Sequence, residues 1–168
     1  MLFLRQAKPL YIWVFGLNWM KILFVCLGNI CRSPMAEAIM KKKAIDAGLD
    51  LHIESAGTNQ YHKGGPADER TLKICLENGV DLSRHIARRF RTSDFAVFDR
   101  IICLAQEVAD EMDEFVTHAA QWEKVTKLEV GDPWYGGDKE FLECFRHIEQ
   151  ICENLLYEFS TGINSERK

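Results

Sequence analysis

Between Lys21 and Pro34 the chain reads KILFVCLGNICRSP, and this stretch leaves few folds open. Ile22-Leu23-Phe24-Val25 is a continuous apolar run of strand-favouring residues, the pattern of a buried strand. Ser33-Pro34 then opens a run of strong helix formers reaching Lys43. Proline suits a first helical turn, because its missing N–H would be unpaired there. Only six or seven residues separate strand from helix, and among them Gly28 and Asn29 tolerate positive φ. Such a loop turns successive backbone N–H groups inward and, with a helix N-terminus behind it, makes an anion-binding nest.

The side chains of the loop say what the nest is for. Cys26 stands at the strand end, where positive potential favours the thiolate, a nucleophile aimed at whatever anion the loop holds. Arg32 can close over the loop and hold two phosphate oxygens with its planar fork. Ser33 is placed to donate a hydroxyl hydrogen bond to the thiolate. Leu27, Gly28, Asn29, Ile30 and Cys31 supply the backbone of the cradle. Phosphoryl transfer to cysteine is the chemistry these residues suit.

The string Cys26-Leu27-Gly28-Asn29-Ile30-Cys31-Arg32-Ser33-Pro34 resembles the signature of the low-molecular-weight protein tyrosine phosphatases. The resemblance covers Met20 to about Tyr157. It implies a metal-free, cofactor-free phosphatase acting on phosphotyrosine-containing proteins through a cysteinyl-phosphate. That chemistry needs a proton for the leaving oxygen and then a base for water, and one carboxyl can serve both in turn. Gly131-Asp132-Pro133-Trp134-Tyr135 resembles the family's Asp-Pro-aromatic-aromatic loop, which implies Asp132 as general acid and then base. Trp134 and Tyr135 can flank a flat substrate ring, while Tyr61 is either a pocket wall or a loop aromatic packed on the core.

Ser55 and His85 lie in segments that resemble those whose serine and histidine hydrogen-bond to the loop asparagine, here Asn29. Their physical role is to hold Asn29 in a costly backbone conformation. The resemblance also suggests that Cys31 can form a disulfide with Cys26 under oxidation. Cys75, Cys103, Cys144 and Cys152 read as core fillers. The pattern departs from the family in two places. Ala105 stands where an acidic residue is usual after the third strand, which puts one loop contact in doubt, and Trp134 replaces a tyrosine.

Along the chain, helical patterns are expected over 34–47, 67–78, from 92, 106–115 and 138–159. Strands are expected over 22–25, 52–57, 100–104 and 127–130. Strands alternating with helices predict an α/β, doubly wound, four-stranded parallel sheet with helices on both faces, its phosphate loop following the first strand. Ligands in that architecture bind beyond the carboxyl ends of the strands, where Cys26 is expected. Residues 20–168 are expected to form a single phosphatase domain, large enough to bury a proper core. Residues 1–19 are a separate N-terminal extension. Leu10 to Leu17 is too short to span a bilayer. The expectation is that Met20 is the true start, the rival being a membrane-surface anchor, the one case for membrane association.

A net charge of −4 argues against a nucleic-acid partner. Six cysteines without a CxxC pair suit a reducing, cytoplasmic setting, and no zinc-ligand spacing appears. Three rival functions remain in view. An arsenate reductase would share the loop but needs two further neighbouring cysteines, which the single Cys103 does not supply. A phosphoarginine phosphatase tends to carry threonine where this chain has Ile30, whose apolar side chain suits an aromatic ring. A silent phosphotyrosine-binding module would have no use for Asp132.

Overall fold

The computed structural model describes residues 20–161. The expectations for residues 1–19, and the last seven residues of the expected domain, lie outside them. The elements run β1 (Met20–Cys26), α1 (Arg32–Ala47), β2 (Leu51–Gly57), α2 (Glu69–Glu77), α3 (Asp94–Val97), β3 (Arg100–Cys103), α4 (Gln106–Glu111), β4 (Val125–Lys127) and α5 (Asp138–Thr161). All four strands are parallel, in the order β2-β1-β3-β4. The chain leaves β1 for one neighbour, β2, and returns across it to the other, β3. Cys26 ends β1 at that reversal, the point where a doubly wound sheet opens a crevice for ligands.

The apolar run of β1 is continuous because both its faces are covered. Ile22 and Phe24 join one core layer with Met35 and Ile39 of α1, Ile74 of α2, and Phe141, Phe145 and Ile148 of α5. Leu23 and Val25 point the other way, into a layer with Phe95 of α3, Val108 and Ala109 of α4, Phe90 and Met112. Cys75, Cys144 and Cys152 lie buried in the first layer and Cys103 in the second, as core fillers should.

Two elements differ most from expectation. The fourth strand is Val125–Lys127 rather than 127–130. The apolar residues that suggested the later span still follow the sheet edge, since Leu128 N–H donates to Cys103 O at 2.9 Å and Val130 N–H to Leu104 O at 2.9 Å. The helix expected over 106–115 tightens into a 3-10 turn at Met112–Glu114, and a second 3-10 segment, Ala119–Lys124, had no clear sequence pattern.

Candidate active site

The loop from Cys26 to Ser33 is held from every side. Asn29 adopts φ 56, a left-handed conformation that costs about 1–3 kcal/mol unless its surroundings impose it. Its Nδ2 donates to Ser33 Oγ and Ser55 Oγ, both at 2.9 Å. Its Oδ1 accepts the Arg88 N–H at 2.9 Å. Its carbonyl oxygen faces His85 Nε2 at 2.8 Å, which requires that nitrogen to carry the proton. Ser55 and His85, the two residues that the resemblance placed beside the loop asparagine, therefore both contact Asn29. Burial presses His85 below the ordinary imidazole value, against the pull of the Asn29 carbonyl and of Glu37. Glu37, not anticipated, extends the clamp by accepting the Ser55 hydroxyl at 2.5 Å.

Of the two loop residues that tolerate positive φ, Asn29 takes it and Gly28 does not. A Cβ at Gly28 would come within 3.1 Å of His62 Cδ2, so the exposed His62 ring would have to shift to admit one. Gly57, at the end of β2, is more constrained still. A Cβ would fall 2.7 Å from Leu27 O and 3.0 Å from Asn29 N. The chain just beyond it pins the loop, with Thr58 and Asn59 N–H donating to Cys26 O and Leu27 O at 3.0 Å each.

Cys26 is 3% exposed. Its Sγ lies 3.0 Å from Ser33 Oγ and accepts the Asn29 N–H at 3.3 Å. Ser33 Oγ already accepts from Asn29 and lies 3.2 Å from Ala56 O. Its single hydrogen can thus point to the carbonyl when Cys26 is a thiol, and to sulfur when it is a thiolate. The first turn of α1 begins at Arg32, earlier than the expected Pro34, so its partnerless N–H groups abut the loop directly. Cys31 is buried nearby, and burial pushes its thiol up to about 12.

Arg32 is 2% exposed, and its cluster joins three elements. Nη1 donates to Val130 O at 3.2 Å and Nη2 to Asp132 Oδ2 at 3.1 Å. Asp132 Oδ1 accepts the Trp134 N–H at 3.1 Å, which orients the carboxyl. Ala105 is fully buried and brings no carboxylate. Glu107, one residue into α4, instead places Oε1 3.6 Å from Arg32 Nη1. That contact was not foreseen, because it depends on where α4 starts.

A pocket of about 230 Å³ gathers Cys26, Leu27, Gly28, Ile30, Cys31, Arg32, Tyr61, Asp132, Trp134 and Tyr135. The expected substrate-pocket aromatics are therefore all at its rim, with Tyr135 95% and Trp134 38% exposed. His62 completes the wall, its ring 5.8 Å from that of Trp134. Histidine in a Gly/Pro loop has no distinguishing spacing, and the sequence offered no signal for it. The arrangement joins a buried sulfur, an oxyanion cradle, a guanidinium and a carboxyl around a mouth lined by aromatic rings.

The family model described as "Low molecular weight phosphotyrosine protein phosphatase" matches residues 21–167. A Schizosaccharomyces pombe protein named low molecular weight phosphotyrosine protein phosphatase is 36% identical over 149 residues, covering 81% of this chain and 94% of that protein. A Homo sapiens protein of the same name is 33% identical over 147 residues, covering 80% and 92%. Among solved structures, a protein tyrosine phosphatase from Entamoeba histolytica with Hepes in its active site superposes with a TM-score of 0.81. It is 38% identical and covers 85% of this chain and 98% of its own.

Proposed function

We propose, for a chain that belongs to the low molecular weight phosphotyrosine protein phosphatase family, that hydrolysis of protein phosphotyrosine passes through a phosphate bonded to Cys26. The observation that carries this reading is the position of Cys26 Sγ. It is hydrogen-bonded to Ser33 Oγ and the Asn29 N–H inside the pocket that also holds Arg32 and Asp132.

In the first step the Cys26 thiolate attacks phosphorus in line. The S–P bond forms as the P–O bond to the phenol breaks, and Asp132 delivers its proton to the departing oxygen. The loop N–H groups and Arg32 hold the equatorial oxygens as charge spreads over them. In the second step the Asp132 carboxylate takes a proton from water, whose oxygen attacks phosphorus while the S–P bond breaks. Phosphate and the thiolate are regenerated, and Ser33 stabilises the thiolate by turning its hydroxyl to sulfur. Arg32 contacts Asp132 directly, so an arriving phosphate dianion replaces the carboxylate as the partner of the guanidinium and leaves Asp132 free to carry its proton.

Tyr61, His62, Trp134 and Tyr135 line a mouth suited to an aryl phosphate, and the apolar side chain of Ile30 lines it with them. Cys103, the thiol of the third strand, lies in the second core layer while Cys31, Cys75, Cys144 and Cys152 lie in the first, so among the described residues it has no neighbouring thiol to which it could pass a disulfide as arsenate reduction requires. Among the described residues no helix is long and apolar enough to cross a membrane; together with the cysteine usage, this is compatible with a cytoplasmic setting for the enzyme. The reading is tested by phosphate release from phosphotyrosine, phosphoserine and phosphoarginine peptides in the presence of EDTA. Selective turnover of phosphotyrosine is expected. Preference for phosphoarginine would overturn the aromatic-pocket reading, and phosphotyrosine binding without turnover would make the chain a binding module.

A further inference from the structure

The Asp132 loop carries the most exposed side chain of the pocket, Tyr135, yet one cation outside the reaction ties it down. Arg70, in the first turn of α2, donates through Nη1 to Trp134 O at 3.1 Å and to Gly136 O at 2.9 Å. Its guanidinium carbon lies 5.5 Å from the centre of the Trp134 ring and 4.5 Å from that of buried Phe141. The other side of the fork is fixed by Asp68, which accepts Nε on Oδ1 at 3.0 Å and Nη2 on Oδ2 at 3.1 Å. Asp68 is itself anchored twice. It caps α2 by accepting the Arg70 N–H at 2.9 Å, and its own N–H donates to Ile30 O, in the phosphate loop, at 3.0 Å. A continuous path of hydrogen bonds therefore runs from the phosphate loop through Asp68 and Arg70 to the carbonyls that flank Asp132's neighbours.

We propose that Asp68 and Arg70 form a positioning strut that sets the Asp132 loop against the phosphate loop, so that the carboxyl meets the leaving oxygen of a substrate held in the cradle. The assignment rests on the reading of Asp132 as general acid. Neither strut residue lines the pocket, so the pair acts through the loop and not on substrate. Arginine is required because four of its N–H bonds are used in two directions from one rigid plane, which a lysine ammonium cannot reproduce. A small displacement of a catalytic group is enough to cost about a hundredfold in rate, so a strut of this kind has catalytic leverage.

The test compares Arg70→Ala, Arg70→Lys and Asp68→Asn with Asp132→Ala on two substrates. One is a phosphotyrosine peptide, whose phenol has a pKa of about 10 and needs a proton to leave. The other is 2,4-dinitrophenyl phosphate, whose anion leaves unaided. Both Arg70 variants are expected to lose about 10- to 100-fold in kcat/KM on the peptide. They should stay within about twofold on the dinitrophenyl ester and bind inorganic phosphate as the parent does. Asp68→Asn keeps a good helix cap, and hence the fold, while weakening the fork; it should shift in the same direction by less. Equal losses on both substrates would make the strut merely structural, and no loss on either would remove its role. Asp132→Ala separates the two ideas. If it shows the leaving-group selectivity and the Arg70 variants do not, the strut fails alone; if it shows none, the acid assignment fails and takes the strut with it.

Discussion

The two loops that meet in the pocket are built on opposite principles. In the phosphate loop, Cys26, Asn29, Arg32 and Ser33 are all nearly or fully buried, and every polar group of Asn29 has a protein partner. The 131–137 loop presents Trp134 and Tyr135 to solvent and is tied by a handful of contacts, through Arg32, Arg70 and its own Asp132 side chain. The contrast follows the chemistry. Donors that stabilise transition-state charge work best when they need no rearrangement at the moment of reaction, so their loop is over-determined. In the proposed mechanism the other loop has only to place one carboxyl at the apical position where the phenol leaves and water later attacks, and the Arg32 and Arg70 contacts are enough to set it.

The comparison is broken most severely at sulfur. Cys26→Ser should lower turnover by about four orders of magnitude or more, read by phosphate release in a single-turnover assay. Wild-type rates in that variant would sink the covalent mechanism. On the other loop, Asp132→Asn should cost about 10²- to 10⁴-fold on aryl phosphates with poor leaving groups while vanadate affinity holds; a parallel collapse of vanadate binding would mean the two loops are not separable.

Smaller effects test the clamp itself. Asn29→Ala removes the side-chain bonds that impose the left-handed turn. It should lower stability by about 1–3 kcal/mol in urea titrations and weaken oxyanion binding along with turnover. Unchanged phosphate affinity would show that the cradle holds its shape without the network. The last effect appears only in alkali. Folded Cys31 keeps its proton up to about 12, whereas the unfolded chain releases it near 9.0. Its contribution is therefore complete below pH 9 and is lost as the pH rises towards 12. Cys31→Ala should flatten the fall of stability with pH by at most about 1.4 kcal/mol per unit in that window, on top of a pH-independent loss of core packing. An identical alkaline slope in parent and variant would refute the assignment.

What was legible beforehand follows the range of the forces involved. β1, its loop and α1 form one contiguous stretch, and apolar run, turn residues and helix formers report on their own neighbours. Asp132 was legible differently. An Asp-Pro turn has no local mark of catalysis, and only the resemblance of the whole Gly131–Tyr135 string singled it out. Glu37, Glu107 and His62 carried no signal at all, because each acts on a residue far away in sequence. Asp68 and Arg70 had half a signal: an aspartate opening a helix is a recognisable cap, but nothing in the spacing says that the arginine behind it reaches Trp134 and Gly136.

The residues alone determined the strand, the short loop with its inward cysteine and the arginine that follows, since a short loop between a strand and a helix has little conformational freedom left once its glycine, asparagine and proline are in place. The tertiary structure decided which side chains impose the turn at Asn29, which carboxylates approach Arg32, and how the exposed acid loop is anchored. Those contacts join segments tens of residues apart, and they exist only because the β2-β1-β3 order brings the ends of separate strands and helices to the same edge of the sheet. No local propensity encodes a distance between such segments; packing of the two core layers does.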